Sequence, residues 1–387
     1  MRLGVGAALV DGAMVPGDVR IADDGTIADV GVGPGDAGGA SAHVAVPGLV
    51  DLQVNGFAGI DFRHADPGDY LMAGAALAAH GATAVQPTLY GMSVDGYLAA
   101  LGVLSDVDAS RSAGPAPSSC RFLRAHLEGP FLNPQFKGAH DDRTFMAPSL
   151  AVADRLIDTG RVGFMTVAPE LAGGIELVRH LSDRGVVVSI GHSDADTEQT
   201  VAAIESGAHH LTHCWNAHRR LTSRDPGPAA VALARPDLIV GLIVDGVHVA
   251  DEIVRLTLHA AAGRVAVTTD CIAPAGLSAT AHGAGPLEPV QWEDSPGVMV
   301  TVRDRRATLA DGTLAGSVAT PIDVLANLVA LGMDLPAAVD ACGGVQRRLL
   351  GIDEVKLRPG DVADLVVLDD CLDVVRTLVG GTEVHAA

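Results

Sequence analysis

Eight short apolar runs alternate with helical stretches through the middle of this chain, and that rhythm limits what it can fold into. The runs are VPGLVDLQV (46–54), ATAVQPTL (82–89), FLRAHLE (122–128), GFMTVAP (163–169), VVVSIGH (186–192), AHHLTHC (208–214), LIVGLIVDG (238–246) and VAVTTD (265–270). LMAGAALAAHG, LAGGIELVRHLSDRG and DEIVRLTLHAAAG lie between them; Leu171, Ile175, Val178 and Leu181 follow the helical period, with Gly185 placed to end the helix. Eight strand–helix units predict an α/β fold of the (β/α)8 TIM-like barrel type rather than a doubly wound sheet. No G-x-G-x-x-G opens a helix after the first run, which weakens the doubly wound alternative.

Both ends of the chain read differently. Short alternating strands with an Asp11-Gly12 turn fill the first segment, and ADLVVLDDCLDVVRTLVGGTEV (363–384) resembles it. The expected organisation is a small β-sandwich domain from residues 1–46 plus 354–387, flanking a barrel over 47–353. With only 7 Phe, 3 Tyr and 2 Trp, the core must be built from aliphatic side chains. A net charge of −21, with no basic run longer than two residues, excludes a nucleic-acid partner, because phosphate backbones need a basic face. The five cysteines are odd in number and irregularly spaced, which points to free thiols in a reducing cytoplasm. The N-terminal apolar run is too short for a signal peptide, and no uncharged apolar stretch approaches the roughly 18 residues of a membrane span. A soluble cytoplasmic protein is expected.

Ionisable residues close four of the runs: Glu128, His192, His213 and Asp270. A barrel gathers the carboxyl ends of its strands at one mouth, so polar residues there read as an active site. Singly, each has a bland alternative: a solvated glutamate, a packed or capping histidine, a capping aspartate. Ser193 and Asp194 are placed to cap a helix beginning near Ala195. Among His209, His210 and His213, strand alternation sets His210 opposite the other two, and His213 lies nearest the mouth. Together, two imidazoles and a carboxylate suit an open Zn²⁺ site, and Fe²⁺, Co²⁺ or Mn²⁺ would accept the same ligands. Asp270 is then the natural general base, and the set favours metal-assisted hydrolysis.

VPGLVDLQVNGFAG, HLEGPFLNPQFKGAH, VTVAPE, SIGHSDA, THCWNA, SRDPGPA, GLIVDGVHV, TTDCIAPAG and DGTLAGS resemble, in order, the N-acetylglucosamine-6-phosphate deacetylases of the amidohydrolase superfamily. The resemblance implies hydrolysis of the N-acetyl group of a phosphorylated amino sugar. It assigns Glu128, His192 and His213 as ligands of one divalent metal and Asp270 as the catalytic acid/base. It further implies that His140 holds the acetyl carbonyl, that His248, Asn216 and Ala217 bind substrate, and that Leu314 shapes the acetyl pocket. Arg224 matches a phosphate-binding arginine that can come from a neighbouring subunit, which implies a homodimer or homotetramer.

The chain also departs from the superfamily's common pattern. Gln53 and Asn55 stand where most amidohydrolases carry His-x-His, and Glu170 stands where others carry a bridging lysine. Amides ligate transition metals poorly, so these positions resemble a one-metal subtype. Cys214 and Cys271 flank the motifs and are expected to be packed thiols, while His218 replaces a methionine frequent in the family. Rival expectations are N-acetylgalactosamine 6-phosphate as substrate, another amide hydrolase of the superfamily, and a sugar-phosphate sensor without catalysis.

Overall fold

In the computed structural model, which describes residues 1–33, 42–113, 118–277, 290–295 and 298–387, all eight expected runs are strands. They are Leu49–Val54, Ala82–Tyr90, Ala125–Glu128, Val162–Val167, Val187–Ile190, Ala208–Leu211, Ile239–Ile243 and Val265–Thr268. Each pairs in parallel with the next. The third run is interrupted: Arg121–Phe122 pairs separately, ahead of Ala125–Glu128. A parallel bridge between Val54 and Cys271, with Asn55 N–H donating to Cys271 O at 2.8 Å, brings the last strand's exit to the first. The result is a nearly closed (β/α)8 barrel.

Helices cover the outside, and their ends follow local sequence rules. Asp66 caps Pro67–Ala79 with Pro67 in its first turn, and Thr320 caps Pro321–Ala330; each forms a reciprocal capping box with the acid three residues on. The helix after His192 corrects the expectation. It spans Thr197–Glu205 and is capped by Asp196, so Ser193 and Asp194 are released for other contacts.

The chain termini meet in a six-stranded sheet, ordered Ala13–Pro16, Ala7–Val10, Val44–Pro47, Leu365–Leu368, Val374–Val379, Thr382–Ala386. Asp18–Ile21 pairs with Ile27–Val32 in a separate ribbon, and Leu3, Val19, Ile27, Leu365 and Leu378 share a core with it. A buried Asp364 accepts from Arg121 and Gly380 N–H, tying this sheet to the barrel's outer face. One element has no counterpart in the sequence reading. A three-stranded antiparallel flap, Val290–Ser295, Val298–Arg303 and Arg306–Thr308, follows the eighth strand and packs through Val300, Val302 and Ala307 against Ile272 and Ala315. No helix among the described residues is long and apolar enough to cross a membrane.

Candidate active site

The barrel mouth gathers its polar residues by a backbone device. Glu128 ends the third strand, whereas His192, His213 and Asp270 each stand two residues beyond the fifth, sixth and eighth. Those three have φ of 49°, 28° and 50°, and Ala217 has 53°. The left-handed turn swings each side chain off the wall of the barrel and over its opening. His213 therefore arrives by its turn, not by alternation: His209 is exposed, while His210 points into the barrel and bonds Ser189 Oγ at 2.8 Å. Gly191 makes the neighbouring bend possible, since a Cβ there would lie 2.4 Å from Thr166 Cγ2.

These turns enclose a cavity of about 270 Å³. Among its lining residues are Glu128, His140, His192, His213 and Asp270, together with Asn216, Ala217, His248 and Leu314. Arg224 does not line it; it is exposed on a loop of the same chain. Cys214 and Cys271 are fully buried and absent from the lining, and burial pushes both thiols up, as packed thiols require. His218 is also buried, its Nε2 donating to Thr212 O at 2.7 Å.

Glu128 sits at the centre. Its Oε1 lies 3.1 Å from His192 Nε2 and 2.9 Å from His213 Nε2, and its Oε2 lies 3.4 Å from His140 Nε2. The far nitrogens are committed: His192 Nδ1 donates to Phe136 O at 2.8 Å and His213 Nδ1 to Asn216 O at 3.2 Å. A neutral ring that donates through Nδ1 presents a lone pair at Nε2. Burial drives His192 down to about 4, so its lone pair faces a carboxylate lone pair. At His213, burial is outweighed by Glu128's hydrogen bond and charge, and its pKa is raised. Burial alone would raise Glu128, yet His140's charge first of all holds it well below the usual range. Two acceptors pressed together need a cation between them, and the donor set fits a divalent metal. The ligand atoms of Glu128, His140 and His192 all lie within 4.8 Å of one another. Backbone carbonyls behind the rings fix their tautomers, as metal-site histidines require.

Asp270 and the two amides complete the floor. Asn55 Nδ2 donates to Asp270 Oδ1 at 2.8 Å, and Gln53 Nε2 donates to Glu128 Oε1 at 3.1 Å. Burial first, then Glu128's charge, push the Asp270 carboxyl up to about 6. His248 is oriented by Asp245, which takes its Nδ1–H at 2.7 Å.

The amidohydrolase family model matches residues 44–384. The chain belongs to the amidohydrolase family. This amidohydrolase is 34% identical to an N-acetylglucosamine-6-phosphate deacetylase of Danio rerio over 88% of the chain and 84% of that protein. It is 31% identical to an N-acetylgalactosamine-6-phosphate deacetylase of Escherichia coli O157:H7, over 94% and 93%. Among solved structures, a mutant N-acetyl-D-glucosamine-6-phosphate deacetylase of Mycobacterium smegmatis, in complex with N-acetyl-D-glucosamine-6-phosphate, superposes with a TM-score of 0.87. That match has 32% identity and covers 98% of each chain.

Sequence alone did not single out Tyr90 and Asp294, which line the cavity of the amidohydrolase, or Arg63, which joins them from behind. Tyr90 ends the second strand and donates to Asp294 Oδ1 on the flap at 2.5 Å. Arg63, 2% exposed, reaches Asp294 Oδ1 at 2.9 Å, bonds Asp61, and lies 4.1 Å over the Tyr90 ring. Tyr90 in turn packs edge-on to His140, with ring centroids 5.1 Å apart. Partners 204 and 231 residues apart leave no local signal to find. Arg63→Met removes the buried cation between two half-buried carboxylates and is expected to cost about 1–3 kcal/mol, the usual penalty for leaving such groups unpaired. Denaturant unfolding measures this, and an unchanged midpoint would refute a stabilising role for Arg63 between the flap and the barrel.

Proposed function

We propose that this amidohydrolase hydrolyses the N-acetyl amide of N-acetylglucosamine 6-phosphate to glucosamine 6-phosphate and acetate, with one divalent metal, zinc, per subunit. The observation that carries the reading is the juxtaposition in one cavity of a cation-demanding Glu128–histidine set and Asp270. Kinship with deacetylases of N-acetylated amino-sugar phosphates supports the substrate class.

Glu128, His192 and His213 are the ligands in this reading, because both imidazole nitrogens converge on one carboxylate oxygen. The metal, when bound, polarises a carbonyl and acidifies water. Gln53 and Asn55 donate hydrogen bonds to Glu128 and Asp270, which suits them to orient carboxylates rather than to hold a second ion. His140 meets the acetyl carbonyl oxygen. Asp270 takes the proton of the attacking water and returns it to the departing nitrogen, which must leave as an amine because an amide anion is too basic. A carboxyl near 6 exchanges protons readily at neutral pH.

Within the same cavity, Asn216 Nδ2 is buried without a protein partner, leaving a donor for phosphate, with Ala217 and His248 also in the lining. Leu314 borders the acetyl group. Arg224, exposed and away from its own cavity, serves the phosphate of a neighbouring subunit in a homodimer or homotetramer; its planar fork suits phosphate oxygens. Five cysteines without disulfides accord with a cytoplasmic location. The E. coli relative's name favours a second reading, N-acetylgalactosamine 6-phosphate as substrate. Acetate release from the two sugars decides: a kcat/KM higher on the galacto sugar would replace the first reading.

Asp270→Asn is expected to keep its metal and lose about 10²–10⁴-fold in turnover, and near-normal acetate release would refute the acid/base role. His192→Ala and His213→Ala are expected to lose bound metal by elemental analysis; full occupancy would contradict their assignment as ligands. Arg224→Ala is expected to raise KM for the phosphorylated sugar far more than for N-acetylglucosamine, so equal effects on both would argue against phosphate contact.

A further inference from the structure

Glu170 lies three residues beyond the fourth strand, close to the mouth, yet it does not line the cavity. Its carboxylate is saturated with donors from behind the site. Oε1 accepts from Asp194 N–H at 2.6 Å and from Asn133 Nδ2 at 2.9 Å, and Oε2 accepts from Ser193 Oγ at 2.6 Å. Two of these donors immediately follow His192. The third belongs to the turn that fixes His192 from the other side. Asn133 N–H donates to His192 O at 3.0 Å, and its side-chain oxygen accepts from Gln135 N–H at 2.9 Å, capping the turn Pro134–Phe136. Phe136 O, at the end of that turn, receives the Nδ1–H of His192.

We propose that Glu170 is a positioning residue for His192, one carboxylate that grips both the chain carrying the imidazole and the turn that selects its tautomer. His192 needs such a grip. Its φ of 49° lies in the left-handed region, which histidine enters more readily than most residues but still at a cost that its surroundings must offset. Without enforcement the ring would lose both its orientation and the tautomer that presents Nε2 to Glu128. The grip also extends sideways, because Ser193 N–H donates to Ala217 O at 3.2 Å and Ser193 O accepts from Arg219 N–H at 2.9 Å. Glu170 thereby couples the metal side of the cavity to the Asn216–Ala217 segment. Glutamine fills the same space but removes the charge that strengthens all three bonds, and its amide nitrogen obliges the Ser193 hydroxyl to turn from donor to acceptor.

The proposal rests on His192 being a metal ligand, and the experiment separates the two. Zinc affinity is measured by competition with a chromophoric chelator in the full-length protein, its Glu170→Gln, Ser193→Ala and His192→Ala variants, alongside thermal unfolding of each metal-free form. Glu170→Gln is expected to weaken zinc binding about 10–100-fold, the usual cost of removing the partner behind a ligand, while the metal-free midpoint stays within a few degrees of the parent. Ser193→Ala, which keeps the carboxylate and two of its donors, is expected to show a smaller loss in the same direction. Zinc affinity in Glu170→Gln within twofold of the parent would overturn the proposal. If Glu170→Gln does not fold, Ser193→Ala decides: weakened affinity supports the grip, and parental affinity overturns it. Parental affinity in His192→Ala would refute the ligand reading itself, and the proposal with it. Loss in His192→Ala without loss in Glu170→Gln would refute the proposal alone.

Discussion

Asp51, buried in the first barrel strand, takes hydrogen bonds from its own strand at Gln53 N–H and from the eighth at Thr268 Oγ1, Thr269 N–H and Thr269 Oγ1. A parallel barrel closes only if its last strand finds its first, and here side-chain bonds do much of that joining beside the single Val54–Cys271 bridge. Burial raises the Asp51 carboxyl, while four donors oppose that shift by stabilising its charge. Closure sets everything above it. Gln53 and Asn55, two and four residues on, reach Glu128 and Asp270 across the mouth because the seam holds the strands in register.

The mouth then works by placing groups of the same polarity face to face. The His192 and Glu128 lone pairs converge on a small volume, and the far nitrogens of His192 and His213 are committed to backbone carbonyls behind them. Such an arrangement is unfavourable until a cation enters, so the free energy of metal binding includes relief of that opposition. Asp270 stands outside the converging set but close enough to feel Glu128's charge. One carboxylate is thereby kept ionised and its neighbour is kept ready to carry a proton, a division made by surroundings and not by residue type.

Strand ends were the readable part of this chain. Glu128, His192, His213 and Asp270 terminate periodic apolar runs, and a barrel makes the ends of such runs neighbours. Backbone detail was less legible. His213 reaches the mouth through a left-handed turn that alternation does not anticipate, and Asp196 caps a helix where Ser193 and Asp194 were equally plausible by type. Least legible was the Arg63–Asp294–Tyr90 cluster, because the flap that carries Asp294 is inserted after the last strand and makes no periodic signal with it. Glu170 was visible as a residue out of pattern, but its hydrogen bonds depend on how two turns fold back on each other.

The positive φ shared by His192, His213, Asp270 and Ala217 has a bearing on how such a site can change. Asparagine, aspartate and histidine are the non-glycine residues that enter this backbone region most readily. Imidazole, carboxylate and amide can therefore be exchanged at these turns with little disturbance of the main chain, whereas a β-branched residue would disturb the fold as well as the chemistry. The scaffold keeps its shape while its reactive groups remain interchangeable, so variation at the mouth samples new chemistries before it threatens the barrel.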